Sequence, residues 1–237
     1  MENEEKARLD DIRRRFTEVG IEALSQWETL ELLLSYASPR GDNFTLSHEL
    51  LRKYRSLSRL FSSSVSQLRN VGGLGEYQAV FLTLVSQIGR QIFLEGMEGR
   101  PDAFAETADI GRYFLELVKG QPREAMYQLC LNDATFLSCS ALTDGGALSE
   151  EMDARRELIR RVTECALESA ANAVVLCRRL SGGLLAPSVG DRVIIERVRD
   201  ALDTVRVDFR DYFLVTDDDF VSLSETGVME RPWEIGE

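Results

Sequence analysis

The chain has 237 residues, enough for two domains of ordinary size, and 44% of them are hydrophobic, as in a typical globular protein. No apolar run approaches the roughly 20 residues of a membrane span, and the charged start MENEEKARLD lacks the apolar stretch of a signal peptide, so we expect a cytoplasmic protein with no membrane partner. The net charge of −12 argues against a general nucleic-acid binder.

The first hundred residues are predicted to be helical. The segment IEALSQWETLELLL places apolar residues at helical spacing, and Ser25 followed by Glu28 is typical of a capping box that starts a helix. Further helices are predicted over 45–54, over 57–61, from SSSVSQLRN onward and over 76–94. The segment EGMEGRPD carries glycines, a proline and charges, so we predict a linker at 98–104 after a helical domain at 1–97.

Beyond the linker the hydrophobic period changes. The segment AMYQLCLNDATFLSCSAL predicts two strands around the turn Asn132-Asp133, and it follows a helix predicted over 110–119. The remaining predicted elements are a helix over 150–170, the strand NAVVLC, the loop SGGLLAPS, a helix over 189–204, and the strands RVDFRDYFLV and DFVSL. This order predicts an α+β fold with helices packed on a mixed sheet over 105–228, followed by a tail at 229–237.

Histidine and cysteine usage limits the metal chemistry. The single histidine, His48, lies in LSHELL on a predicted helix, so a site with two histidines is excluded, and His48 itself fits a surface or half-buried position. The four cysteines show no CxxC spacing and are expected to be reduced thiols. A zinc site built from them would require the fold to gather them: Cys130, Cys139, Cys165 and Cys177.

Basic residues concentrate in the first half of the chain. The net charge is −1 for residues 1–100 and −11 for residues 101–237. Residues 51–70 contain no acid and five basic residues: Arg52, Lys53, Arg55, Arg59 and Arg69. An anion-binding surface is therefore expected in the first half, and the alternative is an ordinary solvated helix face.

A glycine turn, Val71-Gly72-Gly73-Leu74-Gly75, fits a helix-hairpin-helix motif. Glycines let the backbone turn tightly, and the next helix begins with free N–H groups that can hold a DNA phosphate without reading sequence. Glu76, early in that helix, repels phosphate, so a purely structural interhelical turn is the alternative. The tentative nucleic-acid-binding set is Gly73, Gly75, Arg52, Lys53, Arg55, Arg59 and Arg69.

Several segments together resemble the RadC family. In the first half these are GIEALSQWETLELLL, SLSRLF and VGGLG, and in the second AVVLCRRLSGG, PSVGD and DYFLVTDDDFVSLSETG, so the resemblance covers roughly residues 11–228. It implies a helix-hairpin-helix-like domain followed by a JAB/MPN domain, a cytidine-deaminase-like α/β/α fold with a mixed sheet. It also implies a bacterial protein and an association with DNA repair.

The resemblance implies a zinc site with the pattern HxH, then a serine and an aspartate, which leaves an open position for a nucleophilic water. In this chain the two histidine positions fall at Cys177 and Arg179, and the aspartate falls at Asp191. Ser188 matches the family serine, and with Asp191 three residues later it also fits a helix N-cap. Most of the implied ligand set is therefore absent.

The other family positions depart as well. The glutamate that the resemblance implies as general acid/base falls near Ser140 or Ala141, and a DHLVV-like stretch reads DYFLV, so Tyr212 replaces another histidine. A guanidinium repels a dication, and we predict that Arg179 pairs with Asp191 in place of the metal.

These departures predict a RadC-like pseudoenzyme with no catalytic residues, no cofactor and a degenerate, metal-free JAB/MPN domain that acts as a binding or scaffold module. The expected partners are the DNA backbone for the helical domain, with a link to DNA metabolism or repair, and a protein or a second copy for the JAB/MPN domain. The alternative is a JAB-type zinc metallohydrolase, isopeptidase-like, with non-standard ligands or completed by a partner chain.

Overall fold

The computed structural model describes residues 2–121, 124–143 and 152–229, with side chains described from residue 5 onward. The chain divides into two compact units, Met1–Gly89 and Arg90–Glu237. Residues 230–237, most of the predicted tail, lie outside the described residues. Across the described ranges, no helix has both the length and the apolar character that crossing a membrane requires.

Helices make up the first unit. They are α1 (Glu2–Val19), α2 (Gln26–Ala37), α3 (Asn43–Tyr54), α4 (Leu57–Phe61), α5 (Val65–Arg69) and the first part of α6 (Glu76–Glu98), with a 3-10 turn at Ile21–Ala23. Side-chain oxygens cap four of these helices by accepting N–H groups of the first turn: Ser25, Asp42, Ser56 and Ser64. The capping box predicted at Ser25 and Glu28 is confirmed.

Leucines dominate the core of the first unit. Helix α2 contributes Leu30 and Leu34, and helix α3 contributes Leu46 and Leu50, so each helix buries residues one turn apart on one face. The later segments complete the core with Leu60, Leu68, Val71, Leu74, Ala79 and Leu82.

Helix α1 forms from the charged N-terminal sequence, for which no bounds were predicted. Its exposed side chains pair at helical spacing: Arg14 contacts Asp11 at 2.6 Å and Glu18 at 3.0 Å. Such pairs stabilise a helix weakly, because solvent screens exposed charges. The signal for this helix is therefore its charge pattern rather than an apolar stripe.

The boundary between the two units falls inside α6, between Gly89 and Arg90, whereas the sequence placed it after residue 97. The predicted linker at 98–104 belongs to the second unit, and its last two residues, Ala103 and Phe104, are fully buried in that core. The glycines and charges of EGMEGRPD suggested exposure, but the apolar pair that follows them packs inside.

The second unit contains a five-stranded mixed sheet, which confirms the predicted α+β architecture. Its strands are β1 (Ala125–Asn132), β2 (Thr135–Ala141), β3 (Ala173–Arg179), β4 (Asp208–Val215) and β5 (Phe220–Ser222), in the order β2-β1-β3-β4-β5. Only β3 and β4 are parallel, and the other neighbours are antiparallel. The remaining helices are α7 (Thr107–Val118), α8 (Met152–Glu168) and α9 (Val189–Thr204).

Helices cover both faces of this sheet, so β3 reads as an unbroken apolar run. Successive side chains of a strand point to opposite faces. Val174 and Leu176 pack with residues of α8 and α9, on what we call the α9 face. Val175 and Cys177 pack with residues of α7, on what we call the α7 face.

Helix α7 approaches strand β5 closely at a glycine. A Cβ added to Gly111 would lie 2.1 Å from the ring of Phe220, a distance that no side chain tolerates. The helix can therefore rest against the sheet edge only because position 111 has no side chain.

Candidate site around Asp191

Asp191 lies in the first turn of α9 and is fully buried. Ser188 and Asp191 form a capping box: Asp191 Oδ2 accepts the backbone N–H of Ser188 at 2.8 Å and its hydroxyl at 2.6 Å, while Ser188 Oγ accepts the amide of Asp191 at 3.2 Å. The local sequence therefore fixes the carboxylate at the start of the helix, against the α9 face of the sheet.

Arg178 of β3 supplies the counter-charge. Its Nη1 donates to both carboxylate oxygens of Asp191, at 2.7 and 2.9 Å, and its Nη2 donates to Glu124 at 3.2 Å. The Asp191 side chain is 1% exposed and that of Arg178 is 13% exposed. This ion pair is therefore almost completely withdrawn from water, and solvent screens it little.

Tyr212 of β4 completes the shell around Asp191. Its hydroxyl donates to Asp191 Oδ1 at 2.6 Å, and the side chain is fully buried. In the sheet register Tyr212 lies beside Leu176, Leu176 beside Gln128, and Gln128 beside Ser140. These four residues form one row across the α9 face. Tyr212 lies at one end of the row and is hydrogen-bonded to Asp191.

The pKa values follow from this shell. Burial alone would raise the pKa of Asp191, but the hydrogen bonds from Ser188, Tyr212 and Arg178 together hold it below its ordinary value. Burial and the neighbouring carboxylate raise the pKa of Tyr212 well above its ordinary value, so its hydroxyl stays protonated and remains a donor. Asp191 is therefore a stable anion at neutral pH.

The predicted pair between Arg179 and Asp191 is wrong. Arg179 points to the α7 face, where its Nε donates to the carbonyl of Val118 at 3.3 Å and its Nη2 contacts Asp217 at 2.9 Å. The partner of Asp191 is the adjacent Arg178. Because strand side chains alternate between faces, a shift of one position moves the guanidinium to the other side of the sheet.

Sequence similarity identifies the family. A family model described as the RadC-like JAB domain matches residues 104–228. The chain belongs to the RadC family. The UPF0758 protein of Vibrio cholerae is 30% identical over 215 residues, which cover 91% of this chain and 94% of that protein.

Two other UPF0758 relatives extend this similarity. The protein of Burkholderia thailandensis is 30% identical over 91% of this chain and 80% of its own length. That of Flavobacterium johnsoniae is 27% identical over 92% of this chain and 93% of its own length. The RadC similarity therefore extends through the helical unit as well as the JAB domain.

The site residues of this RadC chain do not fit the zinc that the family pattern implies. On the α9 face the donor set around Asp191 consists of a guanidinium and hydroxyl and amide donors, which compete for the same carboxylate oxygens that a metal would use. Among residues 2–121, 124–143 and 152–229, no group of three His, Cys, Asp or Glu side chains is placed to hold a metal. We derive no zinc-dependent step from this arrangement.

Cys177 does not join this site, although the sequence placed it at a ligand position. It is fully buried on the α7 face, and burial raises the pKa of its thiol well above the ordinary value. Burial likewise raises the pKa of Cys139 to about 12. Neither thiol is a ready nucleophile at neutral pH. Of the four predicted vestigial positions, only Ser188 and Asp191 come together.

Four residues of the site were not predicted: Arg178, Tyr212 as a donor, Glu124 and Gln128. Gln128 is fully buried, and its Nε2 donates to the carbonyl of Val162 at 3.0 Å. Its Oε1 has no hydrogen-bond partner among the described residues. The sequence indicates this buried polar residue by placing a glutamine inside the otherwise apolar strand AMYQLCLN. For Arg178 the signal was its place next to Arg179 on a strand, because neighbouring side chains of a strand point to opposite faces.

The tentative nucleic-acid-binding residues all lie in the first unit and are exposed. Arg52 and Lys53 occupy the last turn of α3, where they also complement the helix dipole. Arg55 is the left-handed cap of that helix, and Arg59 lies on α4. Within the described residues only Arg69 of the five has an acidic partner, Glu76 at 3.9 Å.

The glycine turn joins α5 to α6. Gly73 has a φ of +84°, a conformation that favours glycine, and it is exposed. The amide of Gly75 already donates to Oε1 of Gln78 at 2.7 Å. One of the N–H groups predicted to hold a phosphate is therefore engaged within the chain.

Proposed function

We propose that this protein is a RadC-like binding module whose JAB domain works without zinc and without hydrolysis, and whose helical unit contacts DNA. The observation that carries the first part is the ion pair between Arg178 and Asp191. A buried carboxylate that already receives a guanidinium and three neutral donors has no lone pair left for a dication, and the guanidinium repels one.

Displacing Arg178 to admit a metal would be expensive. The guanidinium would have to leave a nearly dry site in which its partner is fully buried, and breaking such a pair costs about 3–5 kcal/mol. The chain has a single histidine, so a pair of imidazole ligands cannot offset this loss.

Zinc content after purification tests this part. Protein exposed to excess zinc and then dialysed should carry far less than one zinc per chain by elemental analysis, and Asp191→Asn should leave that content unchanged. Asp217→Asn removes a carboxylate from the other face of the sheet and serves as the matched control. Stoichiometric zinc that disappears in Asp191→Asn alone would overturn the proposal.

The DNA contact of the helical unit is supported by the charge on its surface. Arg52, Lys53, Arg55 and Arg59 are exposed, and among the described residues none of them meets an acidic side chain. Uncompensated cations of this kind release counterions from phosphates on binding, without reading base sequence. The turn at Gly73 adds an exposed backbone next to the start of α6.

Fluorescence anisotropy of labelled single-stranded, duplex and branched DNA, at low and at physiological salt, tests the contact. Binding should weaken with salt and fall in Arg55→Ala/Arg59→Ala. The matched control is Arg112→Ala/Arg160→Ala, which removes two exposed, ion-paired arginines from the second unit. No binding at low salt, or equal losses in both double variants, would contradict the proposal.

A protein partner or a second copy for the JAB domain, and a link to DNA metabolism or repair, belong to the same proposal. Sedimentation velocity of the full chain with and without DNA addresses self-association. A shift of mass with protein concentration would support a second copy as partner, and a single monomer at every concentration would count against it.

A further inference from the structure

Three aromatic rings lie together on α2 and α3 of the first unit. The His48 ring stacks on Trp27 with centroids 4.9 Å apart and an interplanar angle of 27°. Phe44 meets both rings edge-on, 4.6 Å from His48 and 5.9 Å from Trp27. None of the three belongs to the leucine core of the unit, so this aromatic cluster is a surface feature.

The cluster borders a surface pocket of about 290 Å³. The volume lies just below the range of ligand pockets, about 300–1,000 Å³, so the pocket can take one ring system and not a larger molecule. Phe44 is 37% exposed, so part of its ring is open to solvent. The pocket is lined by residues on one side of α3: Phe44, Thr45, His48, Glu49 and Arg52.

Charges at the pocket are of two kinds. The Arg8 guanidinium lies 4.1 Å from the Phe44 centroid but is ion-paired with Glu31, so its charge is compensated. Arg52, within the described residues, has no acidic partner. Glu49 adds one carboxylate to the lining. A ligand therefore meets the partly exposed Phe44 ring, the cation of Arg52 and the carboxylate of Glu49, which is a hydrogen-bond acceptor.

We propose that this pocket takes an unpaired nucleobase from single-stranded DNA. The inference rests on the DNA contact proposed for the helical unit and names the form of DNA that it recognises. The base stacks on the exposed part of the Phe44 ring, beside the His48 ring, and its phosphate lies next to Arg52. Glu49 accepts a hydrogen bond from a base N–H and repels phosphate, so it orients the nucleotide.

Duplex DNA cannot use this pocket, because its bases are stacked on each other and only its backbone is presented. The helical unit should therefore bind a single strand more tightly than a duplex of the same length. The difference should depend on the aromatic rings and not on Arg55 and Arg59, which contact backbone in either form.

Anisotropy with three labelled strands of equal length tests the inference: an oligothymidine, the same backbone with abasic sites, and a duplex. Wild type should bind the oligothymidine more tightly than the abasic strand. Phe44→Leu keeps apolar bulk but loses the ring, and should weaken oligothymidine binding by about fivefold or more, the loss expected for one stacked base. Its binding to the abasic strand and the duplex should stay unchanged.

Tyr36→Leu is the matched control, since Tyr36 is another exposed aromatic of the same unit with an arginine, Arg13, over its ring. It should behave as wild type, and thermal melts of both variants exclude unfolding as the cause. Equal affinity for oligothymidine and abasic strands, with binding still lost in Arg55→Ala/Arg59→Ala, overturns the base pocket and leaves the backbone contact standing. No binding to any strand overturns both.

Discussion

The two faces of the five-stranded sheet carry adjacent arginines in unlike surroundings. On the α9 face, Arg178 holds a fully buried aspartate inside a closed shell of donors. On the α7 face, Arg179 is buried and donates to Asp217, whose side chain is 51% exposed. We therefore expect the burial of the acidic partner, and not the residue type, to decide how much an arginine at the end of a strand stabilises the fold.

The largest expected effect is that of Arg178→Met. The variant keeps much of the side-chain volume but leaves Asp191 buried without its counter-charge, which should lower the free energy of unfolding by about 3–5 kcal/mol. Urea denaturation followed by circular dichroism measures the change. A loss of stability no larger than that of Asp217→Asn would contradict the difference between the faces.

Asp191→Asn should cost somewhat less, about 2–3 kcal/mol near neutral pH, because the amide keeps one acceptor but turns an N–H₂ toward the donors of Ser188. Denaturation of variant and wild type under the same conditions measures it. If Asp191→Asn does not lower the free energy of unfolding, the charge of Asp191 does not stabilise the fold.

The same variant gives a pH dependence with a defined sign. The pKa of Asp191 is lower in the folded protein than the ordinary value of about 3.9 that applies when unfolded, so the unfolded state binds more protons in acid. The stabilisation is present above that ordinary pKa and is lost as the pH falls through the folded value. The stability gap between wild type and Asp191→Asn should therefore be constant above about pH 5 and narrow on acidification.

Tyr212→Phe is expected to have an intermediate effect. It removes one buried hydrogen bond of 2.6 Å to Asp191 while Arg178 and Ser188 remain in place, and a loss of about 1–2 kcal/mol should result. It should also raise the pKa of Asp191 and move the acid transition toward neutral pH. An unchanged acid transition would show that the hydroxyl does not hold the charge.

The smallest effect should come from the α7 face. Asp217→Asn breaks an ion pair whose acidic side chain is half exposed, and such pairs contribute roughly 0–1 kcal/mol because solvent screens them. Added salt should shrink even this difference, whereas the effect of Arg178→Met should persist. Equal salt sensitivity of the two variants would contradict the claim that solvent screens the ion pair on the α7 face more than the pair on the α9 face.

Much of the fold was predictable because its signals are local. Ser188 and Asp191 form the capping box that their spacing predicts, and the unbroken apolar run of β3 indicates a strand covered on both faces. The hairpin of β1 and β2 also forms as predicted, although its turn lies at Asp133-Ala134, one residue later than the predicted Asn132-Asp133. Each of these features depends on residues within one turn or one strand of each other.

The assignment of side chains to faces was less predictable, because it depends on contacts between distant elements. Alternation shows that Arg178 and Arg179 point in opposite directions, but only the packing of α9 decides which of them meets Asp191. The burial of Phe104 next to a charged, glycine-containing segment depends in the same way on the sheet that covers it. The donor role of Tyr212 follows from the parallel pairing of β3 and β4, which no local signal reports.

The aromatic cluster on α2 and α3 provides a spectroscopic probe that needs no labelling. His48 is the only imidazole in the chain, so any imidazole C–H signal in an NMR spectrum belongs to this residue. Because the ring stacks on Trp27, the ring current of the indole should move those signals upfield from random-coil positions. A molecule that enters the neighbouring pocket should change the chemical shifts of these imidazole protons, because His48 lines the pocket.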